Sequence, residues 1–254
     1  MAELLIEPIE AFSDNYIWLL SRAGRAFVVD PGDADPVLAR LEKDSLELLG
    51  ILITHHHFDH IGGVEQLVEK TGCQVWGPNN SKMPFITNVV AEGDSVTVLE
   101  RQFSVMEIPG HTLDHIAYVG EGAVFCGDTL FAGGCGRVFE GTLPMMRQSL
   151  ARLRDLPAET RVYCAHEYTL ANFAFAQTVA PEDLAILSRS KECEQLRAQG
   201  LPTVPTSIDK ERLSNPFMRW DDPAIVEALV KHGRDIPAQE DSVFAELRQW
   251  KDTF

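Results

Sequence analysis

The sequence predicts an α/β protein with two β-sheets in the middle, helices outside them, and an all-helical C-terminal segment. Three observations carry this expectation. Up to about residue 167, short apolar or alternating runs bounded by Gly, Pro, Asn and Asp are interleaved with helical periodicities, strands then helices, twice over. Beyond Glu167 only helical periodicities remain. Finally, His and Asp side chains stand just past four separate apolar runs. In a two-sheet architecture such strand ends would converge at one edge.

Taken in order, residues 4–30 read as three short strands, with Asp14-Asn15 and Ala23-Gly24 as the turn signals. Pro36 to Lys43 is a short amphipathic helix. Leu46 to Ile53 is nearly all apolar, as expected of a strand buried on both faces. Gly62 to Lys70 is helical and stops at Gly72, and Gln74 to Trp76 is a further strand. The runs 95–99, 103–108, 116–119 and 123–126 form a strand-rich block punctuated by Gly and Pro. A helix over 143–156 and a strand over 162–165 follow. Helices are then expected at 169–179, 182–199, 223–232 and 239–251, interrupted by Pro202 and Pro205, with a domain boundary near 166–170.

The chain has 254 residues and a net charge of -16, from 22 Lys and Arg against 38 Asp and Glu. That balance argues against nucleic acid, whose phosphates need a basic surface. An anionic small molecule would need a local basic patch. No apolar stretch approaches the length of a membrane span, and the acidic start lacks the features of a signal peptide. The five cysteines are scattered and odd in number, which fits a reducing cytoplasm. A cytoplasmic monomer without nucleic-acid or membrane partners is expected.

The densest group of chemistry-bearing residues is Thr54-His55-His56-His57-Phe58-Asp59-His60, directly after the apolar run. Imidazoles and carboxylates are the usual ligands of borderline divalent metals. In an extended segment, residues two apart share a direction, so His55 and His57 can chelate one ion while His56 points away. Asp59 and His60, where the chain turns into a helix, can reach a second. His111 can complete the first ion and His166 the second. Asp128, with two oxygens, is the natural bridge. Seven such groups are too many for one tetrahedral ion and suit two. His115 reads as a support that hydrogen-bonds backbone or a ligand carboxylate, and His232 as solvated. Cys126 and Cys164 read as small buried apolar residues, and Cys135 as structural rather than reactive.

This pattern resembles the metallo-β-lactamase superfamily. The segments Gly127-Asp128-Thr129-Leu130-Phe131-Ala132-Gly133-Gly134-Cys135-Gly136-Arg137-Val138-Phe139-Glu140-Gly141-Thr142, Cys164-Ala165-His166-Glu167-Tyr168-Thr169 and Asn215-Pro216-Phe217-Met218-Arg219 are similar to the glyoxalase II (hydroxyacylglutathione hydrolase) family, across essentially the whole chain. The resemblance implies an αββα sandwich over 1–167 and a helical substrate-binding domain over 168–254. It implies two divalent metal ions per chain, zinc first, with iron or manganese as the other candidates. His55, His57 and His111 would hold one ion, Asp59, His60 and His166 the other, with Asp128 bridging. Asp59, His57 and Asp128 would carry the catalysis.

Glutathione would be held at Arg137, Phe139, Tyr168, Arg248 and Lys251. Phe139 departs from relatives with tyrosine there, which removes one hydroxyl contact, and Asp114 stands where many relatives have glycine. The implied reaction is hydrolysis of S-(2-hydroxyacyl)glutathione thioesters, S-D-lactoylglutathione above all, to glutathione and D-lactate by a metal-bound hydroxide, as in methylglyoxal detoxification. Arg137, Arg248 and Lys251 would form the basic patch that the acidic composition demands for such an anion. The competing readings are another enzyme of the superfamily and a metal-binding protein without turnover. The C-terminal Arg and Lys and the complete ligand set speak against them.

Overall fold

The computed structural model describes residues 2–234, 236 and 241–254. The chain divides into two compact units. The first runs to Glu107 and again over Asp114–Gly127; the second comprises Ile108–Leu113 and Asp128–Phe254.

In the first unit, β1 (Leu5–Ala11), β2 (Asn15–Arg22) and β3 (Arg25–Val29) form an antiparallel series. The strands β4 (Glu47–Leu52), β5 (Gln74–Gly77) and β6 (Asn88–Val89) then add in parallel. Parallel neighbours require crossovers. Helix α1 (Ala34–Asp44) supplies the first, and α2 (Phe58–Ile61) with α3 (Val64–Thr71) the second. Asp33 caps α1 by accepting from Asp35 N, a contact of the kind whose loss costs about 1 kcal/mol.

Every residue of β2 is buried, because the sheet is covered on both sides. One face supplies Ile17, Leu19, Val28 and Ile51 to a core shared with Val37 and Leu41 of α1 and with Val64 and Leu67 of α3. The second sheet of this unit is the meander β7 (Ser95–Val98), β8 (Arg101–Glu107), β9 (Ile116–Gly120) and β10 (Ala123–Gly127). From β9, the buried Tyr118 hydroxyl donates to the carbonyls of Ile53 (3.0 Å) and Trp76 (3.2 Å), which ties this sheet to the first.

The second unit begins its Asp128–Phe254 stretch with a small hairpin, β11 (Leu130–Phe131) and β12 (Gly134–Cys135). Helix α4 (Leu143–Arg154) follows, capped by Thr142, and leads to β13 (Arg161–Cys164). The elements that follow are helical save for one strand of two residues. These are α5 (Thr169–Val179), α6 (Leu184–Ala198), β14 (Thr206–Ser207), α7 (Ile208–Ser214), a single 3-10 turn at Pro216–Met218, α8 (Pro223–Lys231) and α9 (Ser242–Thr253). That strand, β14, pairs antiparallel with β13. That corrects the expectation of helices alone after Glu167: two extended residues are too few to show a periodicity. Helix α7 was also hidden, between Pro205 and Pro216. Of the helix expected at 239–251, positions 239 and 240 lie outside the described residues. Aromatic packing of Phe175, Phe217, Phe244 and Trp250 fastens α5, the 3-10 turn and α9 to one another.

Candidate metal centre and substrate contacts

The first unit presents its cluster where β4 ends. Asp30 lies just past β3, and its amide donates to Leu52 O (3.0 Å), so β3 and β4 end side by side. Its carboxylate is buried. Oδ1 accepts from Thr54 N (2.8 Å), and Oδ2 accepts from Thr54 Oγ1 (2.7 Å) and lies 3.0 Å from His60 Nδ1. With its proton given to Asp30, the Thr54 hydroxyl accepts from His55 Nδ1 at 3.0 Å. His55 and His60 thus carry their protons on Nδ1 and their lone pairs on Nε2, the form a metal ligand requires.

The rings of His57 and His60 lie 4.8 and 4.1 Å from that of His55. Asn15 Nδ2 donates to Asp59 Oδ2 (3.0 Å), and His60 Nε2 lies 3.5 Å from the same oxygen. Gly32 backs the loop: a Cβ there would sit 1.9 Å from Asp59 O.

His56, between His55 and His57 in the chain, makes its hydrogen bonds away from this group. Its Nδ1 lies 3.0 Å from Asp114 Oδ1, and Lys82 Nζ donates to its Nε2 at 2.8 Å. Asn80 Nδ2 donates to Asp114 Oδ2 (2.8 Å), so Asp114 has a structural role. His115 is buried, stacks on His55 at 4.5 Å and places Nδ1 3.2 Å from Ile116 O.

The second unit brings together His111, Asp128 and His166, from three distant segments. His111 Nε2 lies 3.4 Å from Asp128 Oδ2, and His166 Nε2 lies 3.3 Å from Asp128 Oδ1. Each carboxylate oxygen therefore faces a different imidazole. His111 Nδ1 donates to Arg137 O (2.7 Å), which again leaves the lone pair on Nε2. Gly136 abuts this group: a Cβ would sit 1.9 Å from Asp128 O and 3.2 Å from His111 Nδ1.

The residues expected to hold a substrate lie in the second unit. Phe139 packs edge-on to His111 at 5.2 Å, and Tyr168 stacks on His166 at 4.6 Å, nearly parallel. Arg137 is exposed and reaches Asp252 Oδ1 at 3.2 Å. Arg248 is 4 % exposed; it donates to the same oxygen (3.0 Å) and to Cys135 O (2.9 Å), and covers the Phe217 ring. Lys251 donates to Ala171 O (3.0 Å) over the rings of Phe175 and Phe254, and burial lowers its pKa to about 8, aided by Arg248.

Cys135 is buried, and burial pushes its thiol up, which suits a structural residue better than a nucleophile. Cys126 and Cys164 are buried. His232 is exposed, as expected, and its ring also packs on Trp250 at 4.0 Å. The sequence left three supporting residues unmarked: Asp30, although it also stands at the end of an apolar run, Asn15, which reads only as part of a turn, and Glu211, which carries no local signal.

Residues 12–166 match the metallo-β-lactamase superfamily model, and residues 167–254 match the model described as hydroxyacylglutathione hydrolase C-terminus. The crystal structure of ETHE1 from Myxococcus xanthus superposes with a TM-score of 0.65 at 26% identity, covering 99% of each chain. The fold is that of the metallo-β-lactamase superfamily, with a helical C-terminal region. The hydroxyacylglutathione hydrolase of Chromohalobacter salexigens is 49% identical over 257 residues, covering 99% of this chain and 100% of its own. That of Idiomarina loihiensis is 47% identical over 249 residues, covering 97% and 98%. The chain belongs to the hydroxyacylglutathione hydrolase family.

Proposed function

We propose that this protein hydrolyses S-(2-hydroxyacyl)glutathione thioesters, with S-D-lactoylglutathione as the substrate of reference, to glutathione and a 2-hydroxy acid, here D-lactate. It would thereby serve in methylglyoxal detoxification. Family membership over nearly the full chain supports the reaction. The observation that carries the chemistry is the division of the Asp128 carboxylate between His111 and His166, the pattern of a bridging ligand.

In this reading His55, His57 and His111 are ligands of one divalent ion, Asp59, His60 and His166 of the other, and Asp128 of both. The donor sets fit: Nδ1 of His55, His60 and His111 is turned to a hydroxyl, a carboxylate and a carbonyl. Zinc suits imidazole and carboxylate donors, and iron or manganese would also be accepted. When bound, two such ions supply Lewis acidity to the thioester carbonyl and lower the pKa of a water.

The chain's own residues do the rest. Asp30 and Thr54 fix the imidazole tautomers, and Asn15 holds Asp59 in orientation. Residues 1–167 carry the catalysis, and 168–254 supply Tyr168, Arg248 and Lys251 toward glutathione, whose carboxylates need positive partners in a protein of net charge -16. Phe139 offers glutathione a ring without a hydroxyl. The departing thiolate is a weak base, with a thiol pKa of about 8.5, so no side chain has to protonate it. The five free, buried cysteines support a reducing compartment such as the cytoplasm. Among the described residues no helix is long and apolar enough to cross a membrane. The test is hydrolysis of S-D-lactoylglutathione followed against metal content. Activity should rise with loading and level off at two ions per chain; metal-replete protein without thioesterase activity would refute the reading.

A further inference from the structure

The β11–β12 hairpin has strands of two residues each, too short to hold a shape by their own ladder. Yet its two ends carry Asp128 and Arg137. At its base Gly136 N donates to Thr129 O (3.2 Å), Gly136 abuts Asp128 O, and Arg137 O accepts from His111. What fixes the hairpin must come from elsewhere, and at its tip it does. Glu211 of α7 and Asn215 just after it are both fully buried. Glu211 Oε2 accepts from Gly133 N (2.8 Å) and Asn215 Nδ2 (2.9 Å), and Oε1 accepts from Thr206 Oγ1 (2.7 Å). Asn215 Nδ2 also donates to Gly134 O (2.9 Å) and Phe131 O (3.2 Å). A carboxylate and an amide with no exposure, spent on the backbone of a six-residue turn, are costly unless the shape of that turn matters.

We infer that Glu211 and Asn215 are positioning residues for the thioesterase: from beneath the hairpin tip they set its backbone, and through it the placement of Arg137 toward the glutathione portion of the substrate. This rests on the functional reading above. Neither residue touches the reacting atoms. Burial raises the Glu211 carboxyl against the pull of its donors, so geometry rather than charge is the essential feature of the pair. A glutamine can reproduce that geometry: its amide oxygen accepts from Gly133 and Asn215, and its amide nitrogen donates to a turned Thr206 hydroxyl.

The experiment compares the metal-replete parent with Asn215→Ala, Glu211→Gln, Arg137→Ala and the Asn215→Ala/Arg137→Ala double variant, using S-D-lactoylglutathione, with folding checked by circular dichroism. Loss of folded protein alone would lower apparent kcat and leave KM where it was. Positioning predicts instead that KM rises about tenfold or more in folded Asn215→Ala. Glu211→Gln should stay within about twofold of the parent, and Arg137→Ala should add little to KM once Asn215 is gone, since both changes remove the same contact.

Should Asn215→Ala not fold, Asn215→Ser carries the same test, because its hydroxyl keeps an acceptor for Phe217 N (3.0 Å in the parent) without a new charge, but is too short to donate to the hairpin. An unmoved KM in the folded Asn215 variant, full additivity with Arg137→Ala, or a Glu211→Gln KM as high as that of Asn215→Ala would overturn the inference. A parent that does not hydrolyse the thioester would overturn the functional reading instead.

Discussion

The two proposed ligand clusters solve one problem by different means. In the first unit the ligands lie within six consecutive residues, and one buried carboxylate, Asp30, orders the group through Thr54 and His60. In the second, His111, Asp128 and His166 come from three distant segments, and order comes from backbone: a carbonyl of Arg137 on His111, and a glycine against the carbonyl of Asp128. A contiguous loop can be governed by one side chain beneath it. A composite site needs each contributing segment fixed separately, which is why its supports reach out to Glu211 and Asn215.

The strongest way to break the comparison is to remove one ligand from each cluster. His57→Ala and Asp128→Ala should each lower kcat about a thousandfold or more, with little change in far-ultraviolet circular dichroism. Retained turnover in either metal-verified variant would show that its cluster is dispensable. Next is the support of the contiguous group. Asp30→Asn keeps the volume but has a single acceptor oxygen, which cannot serve Thr54 N together with Thr54 Oγ1 and His60, so metal affinity or activity should fall about 10- to 100-fold. Metal titration would measure it, and an unchanged affinity would mean that the loop orders itself.

A matched pair of glycines sharpens the contrast further. Gly32 and Gly136 each bring a backbone to within a Cβ radius of an aspartate carbonyl, Asp59 O and Asp128 O respectively. Gly→Ala at either should cost about 1–3 kcal/mol of stability through overpacking, read as a lower melting temperature. The added methyl at 136 would also crowd His111 Nδ1. Gly136→Ala should therefore lose more metal affinity than Gly32→Ala. Equal losses would mean that the second cluster tolerates displacement as well as the first.

The same contrast explains what could be read from the residues alone. His55 to His60 announce themselves because polar groups directly after a buried strand need a partner, and the strand itself is a plain apolar run. The strands through Gly127 other than the two-residue β6, and the helices α5, α6 and α8, follow from periodicity. The hairpin at 130–135, β14 and α7 do not, since each is short and held by contacts from far along the chain. Asp30 obeys the strand-end pattern that marked the other groups, but a single carboxylate in a turn before Pro31 and Gly32 looks like turn chemistry. Glu211 resembles any charge on a helix face until the structure shows it buried under Gly133.

The smallest predicted effect concerns the edge of the second unit, where the proposed function assigns Lys251 to an anionic substrate. Burial, with help from Arg248, lowers its pKa to about 8, against about 10.4 for an exposed lysine in an unfolded chain. Below pH 8 both states hold the proton and the penalty for the buried charge is constant. Between about pH 8 and 10.4 the unfolded chain holds more protons than the folded one, so this group makes stability rise with pH across that window. Substrate binding should run the other way. A glutathione carboxylate is attracted to the ammonium and not to the amine, so KM should climb by a few-fold as pH passes through 8 and beyond, while kcat keeps its own profile. Lys251→Gln should start with a higher KM near pH 7 and lose this rise. A parent KM that is flat from pH 7 to 10, or a Lys251→Gln profile that still climbs, would remove Lys251 from the substrate contacts and leave the basic side of the site to Arg137 and Arg248.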